Sequence, residues 1–507
     1  MKKAFSILVL ILFATPSFSQ LKDWNEKFLL QSTQNYLNNF ADQPLRSTLI
    51  GEEFGYSGIY WDQRDGEFHS VQMPEKDRNY GFSSLGIREV NGWMIEGYFQ
   101  FQNQKQDSVG WKQTRDVNES PFYYANIRKG NWRNNVFNSH INASKYFYKE
   151  KIAFGLGVDY SLQTHSRGND PRPLINYHYI KPKAQISYQF IEKHQFAVAA
   201  NILTATERGS VSNFNQSNDS FGKTEYNIYT LMGGATFNLL RRPNYELIDK
   251  GIGFGAAYYY TGNKLTINNE FDYSFIDKTF NRRGIEGSQR VFEEIGIFSV
   301  EEISNNLFVQ YENDLRVLQL HLVNSQSFGK DFNNLLAGNN FQQDGSTHAI
   351  EILYEFKKIN HLSVFGDVSM NNLSLRDFNA SHAYEISNLS FGLGLQLPIS
   401  ASDKLTFYPK LKSNWRMNLN QDVNIIASQI NIVSTSVLIP NIDFLSAEYF
   451  NVNAELGARI KFKKFDLNPS VFADLNTFNP PSAFNSAYFE TRGNQRSTLG
   501  FSINFIH

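Results

Sequence analysis

KIAFGLGVDYSL, residues 151–162, is the stretch from which the fold can be inferred. Its apolar residues alternate with small or polar ones, and a period of two is typical of a strand with one apolar and one polar face. The turn-like YKEK at residues 148–151 precedes it, and hairpins of this form recur to the C-terminus. The apolar members are Ile152, Phe154, Leu156, Val158, Tyr160 and Leu162. This repeated unit predicts a β-barrel.

The composition excludes several classes of protein. The 507 residues include no cysteine, which excludes disulfides, zinc–thiolate sites and a lipid-anchored N-terminal cysteine. The net charge of -1 argues against nucleic acid as a partner. After the N-terminus, no apolar run approaches the roughly 18 residues of a membrane-spanning helix. The apolar surface must therefore be spread over alternating strands of one large unit.

The N-terminus has the pattern of a secretory signal. Lys2 and Lys3 precede an apolar stretch at residues 4–14, and small residues follow up to Gln20. This order predicts a signal peptide at residues 1–20, cleaved after Gln20. The alternative is a buried N-terminal helix, for which the complete order of the three regions is not expected.

The spacing of apolar residues in residues 21–45 differs from that in the rest of the chain. Apolar side chains such as Trp24, Phe28 and Tyr36 recur there at helical rather than strand-like steps, which predicts a short helix or an irregular segment. Two placements remain open for this segment. It is either a plug folded into the lumen or a periplasmic segment that precedes the barrel.

In residues 46–507, short turns alternate with longer polar connections. The first two strands are predicted at residues 47–60 and 67–90, and Asn91-Gly92 is a tight-hairpin signal. Short turns and long loops that alternate are typical of an outer-membrane barrel with short periplasmic turns and long outer loops. The longer connections are predicted at residues 107–133, 165–176, 207–222, 276–294, 328–346, 420–448 and 476–495.

The predicted fold is therefore all-β, a transmembrane up-and-down antiparallel β-barrel of about 16 to 18 strands. A soluble sandwich or propeller is the alternative, but its apolar faces would point inward. Strands near the C-terminus carry the alternation most clearly: Leu393 and Leu456 are expected to face lipid, and Glu455 and Arg459 the lumen. A final amphipathic strand at residues 499–505 lies where a bacterial barrel closes.

Three stretches resemble a known family: RDVNESPFYYANIRKGNW at residues 115–132, FGLGVDYSLQTHSRGNDPRP at 154–173 and YHYIKPKAQISYQF at 177–190. They resemble an uncharacterised outer-membrane β-barrel family of Bacteroidota, often encoded beside TonB-dependent receptors and uptake lipoproteins. The resemblance implies a location in the cell outer membrane, in contact with its lipid. It also implies an accessory role in nutrient uptake, with such a receptor or lipoprotein as partner. It supplies no catalytic residues.

Several cations lie on the polar strand faces. A wide barrel with basic walls would favour anions through its local field. The alternative is that the cations pair with carboxylates across the lumen or lie near the periplasmic rim. The candidate lumen-lining basic residues are Lys181, Lys183, Lys410, Lys412, Arg416, Arg459 and Lys461, and the candidate carboxylates are Glu96, Asp159, Asp367 and Glu455.

The tightest loop motif is Asp170-Pro171-Arg172-Pro173. Proline on both sides of Arg172 stiffens the backbone and could present the guanidinium to a ligand, so Asp170 and Arg172 are the loop candidates. The alternative is a rigid loop base.

The sequence contains no constellation that predicts catalysis, a metal site or a cofactor. His321 and Ser325 lie near one strand face, but such pairs arise by chance in a chain rich in both residue types. HExxH, EF-hand and glycine-rich phosphate motifs are absent. We therefore predict no enzyme, no cofactor and no metal site.

Three functions follow from these observations. The first is a transport-associated pore or an accessory barrel beside an uptake receptor. The receptor itself is not expected, because residues 21–45 are too short for a globular plug. The second is a non-conducting structural or assembly scaffold that binds a partner through its outer loops. The third and weakest hypothesis is an outer-membrane hydrolase.

Overall fold

The computed structural model describes residues 28–39, 43–148, 150–219, 223–233, 235–239, 244–286, 289–479 and 493–507. The predicted signal peptide at residues 1–20 lies outside the described residues, and so does Trp24. Within those described ranges, no helix is both long enough and apolar enough to cross a bilayer.

Eighteen long antiparallel strands form a closed barrel, which confirms the predicted fold class and the upper strand number. Consecutive barrel strands pair with each other, and β1 pairs with β22 to close the ring. The barrel strands are β1 (Phe54–Asp65), β2 (Lys76–Val90), β3 (Trp93–Val109), β5 (Gly130–Phe147), β6 (Ile152–Arg167), β7 (Arg172–Ile191), β8 (His194–Ser212), β11 (Asn244–Thr261), β12 (Leu265–Glu286), β13 (Gln289–Glu312), β14 (Arg316–Asn333), β15 (Phe341–Phe356), β16 (Leu362–Asp377), β17 (His382–Gln396), β19 (Leu405–Asn424), β20 (Glu448–Lys461), β21 (Asp466–Asn479) and β22 (Gln495–Ile506).

The remaining elements are short. A strand beside β19 completes the large sheet, and three others form a small separate sheet. The extra strands are β18 (Ile399–Ser402), beside β19, and β4 (Phe122–Asn126), β9 (Ile228–Met232) and β10 (Ala235–Leu239), which pair in the order β10-β9-β4. The α-helices are α1 (Gln31–Asn39), α2 (Arg46–Ile50) and α3 (Ile439–Ser446), with a π-helical turn at Ser434–Leu438 before α3 and single 3-10 turns at Gln216–Asp219, Thr224–Tyr226 and Ala427–Gln429.

The two ends of the barrel differ, and we name them by their connections. At the short-turn end, β2 and β3 are joined by Asn91-Gly92, with both residues at positive φ, as a tight hairpin turn requires. At the long-loop end, the longest connection leads from β8 to β11 and contains β9 and β10.

Several boundaries differ from the sequence prediction, and three of the differences are the most informative. Residues 165–176 and 276–294 were expected to be long loops, but β6, β7, β12 and β13 extend through most of both stretches. Both stretches are rich in polar residues and were therefore predicted to be loops. An antiparallel ladder satisfies its own backbone groups, however, and can continue with polar side chains beyond the apolar belt. The strand expected at residues 47–60 begins only at Phe54, since α2 occupies the stretch before it.

The outward faces of the strands are apolar. In the isolated chain the side chain of Leu393 is 66% exposed and that of Leu456 is 46% exposed, whereas Gly457 is buried on the inner side of the barrel. Ile352 on β15 and Phe254 on β11 are exposed in the same way. The polar side chains of these strands point into the lumen, so the alternation visible in the sequence separates outside from inside.

Candidate functional site

Residues 28–39 and 43–50 lie inside the barrel at the short-turn end, and a buried ion pair attaches the second stretch to the wall. Arg46 of α2 donates from Nη1 to Glu96 Oε1 on β3 at 2.7 Å. Glu96 is fully buried and also accepts from His140 on β5 at 2.8 Å, if that nitrogen carries the proton. A carboxylate without solvent needs such partners, so this contact holds α2 at a defined place on the wall.

Further contacts connect the same segment to other sides of the lumen. The Ser47 and Ser144 hydroxyls are 2.9 Å apart, and the Leu45 backbone N–H donates to Gln185 Oε1 at 3.2 Å. On the far side, Gln319 donates to the carbonyl of Ser32 at 2.7 Å. Other wall contacts are made by Ser32 with Glu355, by Gln43 with Tyr259, by Tyr36 with Phe308 and by Gln31 and Leu29 with Gln396. Residues 28–39 and 43–50 together therefore contact opposite sides of the lumen rather than one wall.

The small sheet of β4, β9 and β10 covers the lumen at the long-loop end. Phe122 and Tyr124 of β4 pack against inward-facing aromatic side chains of the wall, with ring centroids of Tyr124 and Phe280 5.7 Å apart and of Tyr124 and Tyr245 5.5 Å apart. The cluster continues through Met232 of β9, which is fully buried. This cover is an apolar core built from loop and wall residues.

A buried polar contact fixes the loop that leads into β4. The Thr114 hydroxyl and the Tyr245 hydroxyl both donate to Glu207, at 2.7 and 2.6 Å. The Arg115 guanidinium lies beside the same carboxylate at 3.3 Å and stacks over the Tyr177 ring at 3.9 Å. Although burial alone would lower it, the carboxylates of Glu119 and Glu207 hold the pKa of Arg115 above its ordinary value. The loop is therefore anchored by a charge pair shielded from water.

Helix α3 covers the other side of the same end. Phe68, from the connection between β1 and β2, stacks on Phe478 with ring centroids 3.9 Å apart and lies 5.4 Å from Phe444 of α3. The Arg416 guanidinium on β19 donates to the carbonyls of Ala447 at 3.1 Å and Leu445 at 2.6 Å. Arg416 thus acts as a cap for the end of α3.

Between the two covers lies a polar chamber made of two adjoining cavities of about 330 and 300 Å³ that share Ser325 in their walls. The larger cavity touches β7, β8, β11, β12 and β13, and Gln43 and Pro44 of the N-terminal segment line it from the short-turn side. Hydroxyl and amide side chains line the smaller cavity together with Leu373, Ile386 and Leu445, and Thr347 donates to Asn371 at 2.9 Å. We take this chamber as the candidate functional site.

Most of the predicted basic residues are paired with carboxylates. Lys183 lies 2.9 Å from Asp159, Lys412 2.5 Å from Asp367, Lys410 3.9 Å from Glu455 and Arg459 2.7 Å from Asp466. Lys181 lines the larger cavity and Arg416 the smaller one, whereas Lys461 lies at the exposed end of β20. The set is therefore not gathered in one place. A preference for anions stays a prediction.

The larger cavity also contains three carboxylates that the sequence reasoning did not select: Glu270 and Asp272 on β12 and Glu302 on β13. Alternation along β12 could have placed the first two on a lumen face. These residues make the chamber mixed in charge rather than basic.

Asp170, in the connection between β6 and β7, faces Arg172 at the start of β7, and neither residue lines the chamber. Asp170 is buried and accepts from Arg172 Nε at 2.9 Å and from the backbone N–H groups of Phe214 and Asn215 at 2.9 and 3.0 Å. Burial raises the pKa of Asp170, but these donors outweigh it and leave the pKa below its ordinary value. The motif joins two loops at the long-loop end.

No catalytic geometry is found at His321. Its ring nitrogens face Glu351 at 3.1 Å and Asn306 at 2.7 Å. Ser325 lies four residues further along β14, a separation of about 13 Å in a strand, and so cannot form a dyad with this histidine. In the part of the chain that the structure describes, no three His, Asp or Glu side chains form a group that could hold a metal ion.

Comparison with solved structures finds other barrels at very low identity. The ferric yersiniabactin uptake receptor FyuA from Yersinia pestis is 9% identical with a TM-score of 0.43, covering 90% of this chain and 80% of the receptor. The unliganded ferric citrate transporter FecA is 8% identical with a TM-score of 0.44, covering 90% and 79%. The TodX deltaS2S3 mutant, a monoaromatic hydrocarbon channel, is 10% identical with a TM-score of 0.33, covering 92% and 93%. Such values say nothing about what this chain binds.

A sequence search among curated proteins finds no match. The pattern of one protein family extends from residue 45 to residue 507 and so includes α2, every barrel strand and the barrel side of the chamber, but not Gln43 and Pro44. On this match the chain belongs to the family described as "Family of unknown function (DUF6850)".

Proposed function

We propose that this protein is an outer-membrane barrel with a transport-related role, in which residues 28–50 act as a plug that closes a solute chamber from the short-turn end. The observation that carries the proposal is the position of α2, held against the wall by the buried Arg46–Glu96 pair directly beside the polar chamber. A hydrophilic chamber inside a wide barrel suits a polar solute, and a covering segment fastened mainly by polar contacts suits a gate.

The apolar outer surface supports the location. A barrel whose outward faces carry exposed Leu, Ile and Phe side chains has to be surrounded by lipid, because such surface is unfavourable in water. We propose the outer membrane of a Gram-negative cell, with the short-turn end in the periplasm. A signal peptide cleaved after Gln20 and an origin in Bacteroidota belong to the same proposal. N-terminal sequencing of the membrane-extracted protein tests the cleavage.

A TonB-dependent receptor or an uptake lipoprotein is the proposed partner in transport. The expectation comes from the family resemblance, and the loops at the long-loop end offer the contact surface. Extraction of the membrane in mild detergent followed by identification of co-purifying proteins tests it. Recovery of the barrel without either class of protein would contradict it.

A non-conducting scaffold is the second candidate, and one observation favours it. The cover at the long-loop end is an apolar core of loop and wall residues, with Phe122, Tyr124 and Phe280 nearly inaccessible to solvent. Such a core is costly to open. If it never opens, the lumen is sealed whatever residues 28–50 do, and the outer loops serve only to bind a partner.

Planar-bilayer conductance separates the two candidates. The natural chain has no cysteine, so the Ser47→Cys/Ser144→Cys variant forms a disulfide between α2 and β5 without competition, as the 2.9 Å between the two hydroxyls allows. In an Arg46→Gln background we expect channel openings when this disulfide is reduced and silence when it is oxidised. A matched control is Ser57→Cys/Ser84→Cys, a pair 2.8 Å apart that joins two neighbouring wall strands.

In the control, oxidation should leave the openings unchanged, because both cysteines lie in the wall. Silence of the Arg46→Gln protein with its disulfide reduced would reject the pore and favour the scaffold. Openings that persist when α2 is tethered would place the gate elsewhere. The same recordings, with Lys181, Lys183, Lys410 and Lys412 replaced by Gln, test the predicted preference for anions.

A further inference from the structure

Three cations lie side by side on the outward face of the wall near the long-loop end. Lys105 on β3 is paired in register with Arg78 on β2 and with Arg133 on β5. Residues directly opposite each other in an antiparallel pair have Cα atoms about 4.5 to 5.5 Å apart, so the outer two are separated by about 10 Å. Like charges in opposite positions destabilise a sheet. An anion beside the three cations would remove that cost.

The alternation along the strands shows that these cations face outward. The residues one position away lie on the lumen side, where Gln104 donates to Asp77 at 2.9 Å and accepts from Asn134 at 2.9 Å. Toward the short-turn end, the outward face carries the rings of Phe101 and Phe137, with centroids 4.8 Å apart. Phe137 is exposed on that face. The cations therefore continue the outer apolar surface and do not belong to the lumen.

The position of the cations along the barrel axis is just beyond the apolar belt. Lys105 follows Phe101 by four residues, about 13 Å along a strand and about 10 Å along the axis of a barrel with tilted strands. The Lys105 ammonium reaches part of the way back, because it lies over the exposed Tyr80 ring at 5.5 Å from the centroid. Headgroups extend a bilayer by about 5 to 8 Å on each side of its hydrocarbon core. The ammonium is therefore at the level of lipid headgroups.

Carboxylates on the same face neutralise only part of the positive charge. Arg78 donates to Asp107 Oδ2 at 2.9 Å, and both side chains are partly exposed. In the part of the chain that the structure describes, no carboxylate forms an ion pair with Lys105 or Arg133. Two neighbouring strands thus present positive charge to the surroundings of the barrel, directly above an apolar surface.

We propose that Lys105 and Arg133 bind the phosphate group of a membrane lipid, with Arg78 beside it. A guanidinium can donate two parallel hydrogen bonds to a phosphate, and an ammonium adds a compact positive charge. The acyl chains of the same lipid lie on the apolar belt below, against Phe101 and Phe137. Free phosphate would make only the polar contacts, so the site favours a phosphate that is attached to lipid chains.

This inference rests on the proposed location in a membrane and not on the transport role. The loop that contains β4 leaves the wall at the end of β3 and returns at the start of β5. A lipid bound to both strands therefore stabilises the base of the cover at the long-loop end. Lys76 pairs with Asp65 at 3.1 Å on the loop side of the site and adds no net charge to it.

The test measures lipid binding to the full-length protein in detergent micelles by native mass spectrometry. The probe is dioleoylphosphatidic acid, compared with dioleoylglycerol, which lacks the phosphate, and with dioleoylglycerol hemisuccinate, which carries a carboxylate instead. We expect phosphatidic acid to bind at least about tenfold more tightly than either, and an equal concentration of inorganic phosphate not to displace it. In the Lys105→Gln/Arg133→Gln variant, phosphatidic acid should bind no better than dioleoylglycerol.

Lys330→Gln is the matched control. Lys330 is an exposed cation of β14 near the same end, but its register neighbours, Ser299 and Gln342, are uncharged. This substitution should leave the binding of phosphatidic acid unchanged. Thermal unfolding without lipid checks the wall: the double variant should unfold at the same temperature as the natural protein or at a higher one, because like charges have been removed.

Four outcomes would overturn the proposal. They are equal binding of phosphatidic acid and either comparison lipid, displacement by inorganic phosphate, the same loss of binding in Lys330→Gln as in the double variant, and unfolding of the double variant at a lower temperature without lipid. The last would show that the two cations hold the wall itself.

Failure of this inference can be told apart from failure of the proposed function. If Arg46→Gln conducts but phosphatidic acid does not bind, the gated barrel stands and the lipid site is rejected. If phosphatidic acid binds with the expected selectivity but no form of the protein conducts, the lipid site stands and the transport role is rejected. Recovery of the protein from the soluble fraction of cells would reject the membrane location itself.

Discussion

The two ends of the lumen are covered by different kinds of contact. At the short-turn end, residues 28–39 and 43–50 are held by hydrogen bonds and the Arg46–Glu96 ion pair together with an apolar cluster around Phe28 and Leu37. At the long-loop end, the small sheet is held by a core of aromatic and aliphatic side chains. Polar contacts exchange readily for contacts with water, whereas buried apolar surface does not.

This difference indicates which end can move. A hydrogen bond contributes about 0.5 to 1.5 kcal/mol net, so a segment held by several of them is stable yet releasable. A buried aromatic side chain contributes several times as much, and each one in the core adds to the cost of opening. We therefore expect the cover at the short-turn end to open more readily than the cover at the long-loop end.

The largest expected effect is at the rigid end. Phe280→Ala removes a fully buried ring that contacts Tyr124 and Tyr245, and should lower the free energy of unfolding by about 3 to 5 kcal/mol. Chemical denaturation of the refolded protein measures it. Phe292→Ala, at an exposed position of β13, is the control and should cost less than about 1 kcal/mol. Equal costs would show that the aromatic cluster does not hold the cover.

Next in size is the loss of the buried ion pair at the movable end. Arg46→Gln leaves Glu96 buried with His140 as its remaining partner among the contacts described above, and should weaken docking of residues 28–50 by about 3 kcal/mol. Hydrogen exchange should rise in residues 28–50 but not in the barrel strands. Lys357→Gln breaks a partly buried pair in the wall at the same end, with Glu312 at 2.6 Å, and should leave exchange unchanged. Faster exchange throughout the barrel would contradict a local gate.

A smaller effect is expected from Asp170, which joins two loops at the rigid end. Because its pKa is lowered in the folded protein, its ionised form stabilises the fold above the ordinary carboxyl pKa of about 3.9. That contribution is lost as the pH falls through the lowered pKa. Asp170→Asn should cost about 1 to 2 kcal/mol at neutral pH and flatten stability measured from pH 5 down to pH 2. An unchanged acid profile would show that the loop contact does not depend on the charge.

The smallest effect is expected at an exposed pair of the long-loop end. Lys129 and Glu75 lie 2.7 Å apart in largely exposed positions. Lys129→Gln should change the free energy of unfolding by at most about 1 kcal/mol, and less at high salt, because water and ions screen the pair. Thermal unfolding at low and high salt measures it. A cost comparable to that of Phe280→Ala would overturn the view that apolar contacts dominate this end.

The sequence by itself determined the barrel. Strands that alternate like residues 151–162 have an apolar face that must be covered, and no neighbouring helix is available to cover it. A closed sheet solves this problem, because its strands satisfy each other's backbone groups while the apolar faces contact lipid. The same periodicity predicts that Lys181 and Lys183 share the polar face of one strand, and both line the larger cavity. The prediction from periodicity was wrong at residues 276–294, because polar side chains there indicate that the strands extend beyond the lipid and not that the β-ladder ends.

Only the tertiary structure decided what fills the lumen. Residues 21–45 gave a helical period but no position, and the described part of that segment turned out to lie among inward-facing side chains from opposite sides of the barrel. The carboxylate partner of each cation could not be predicted from the sequence either. Lys183 and Asp159, for example, are brought together by the register of β6 and β7 and not by spacing along the chain. Barrel closure brings residues hundreds of positions apart into one cavity. The chamber follows from that closure and from no local pattern.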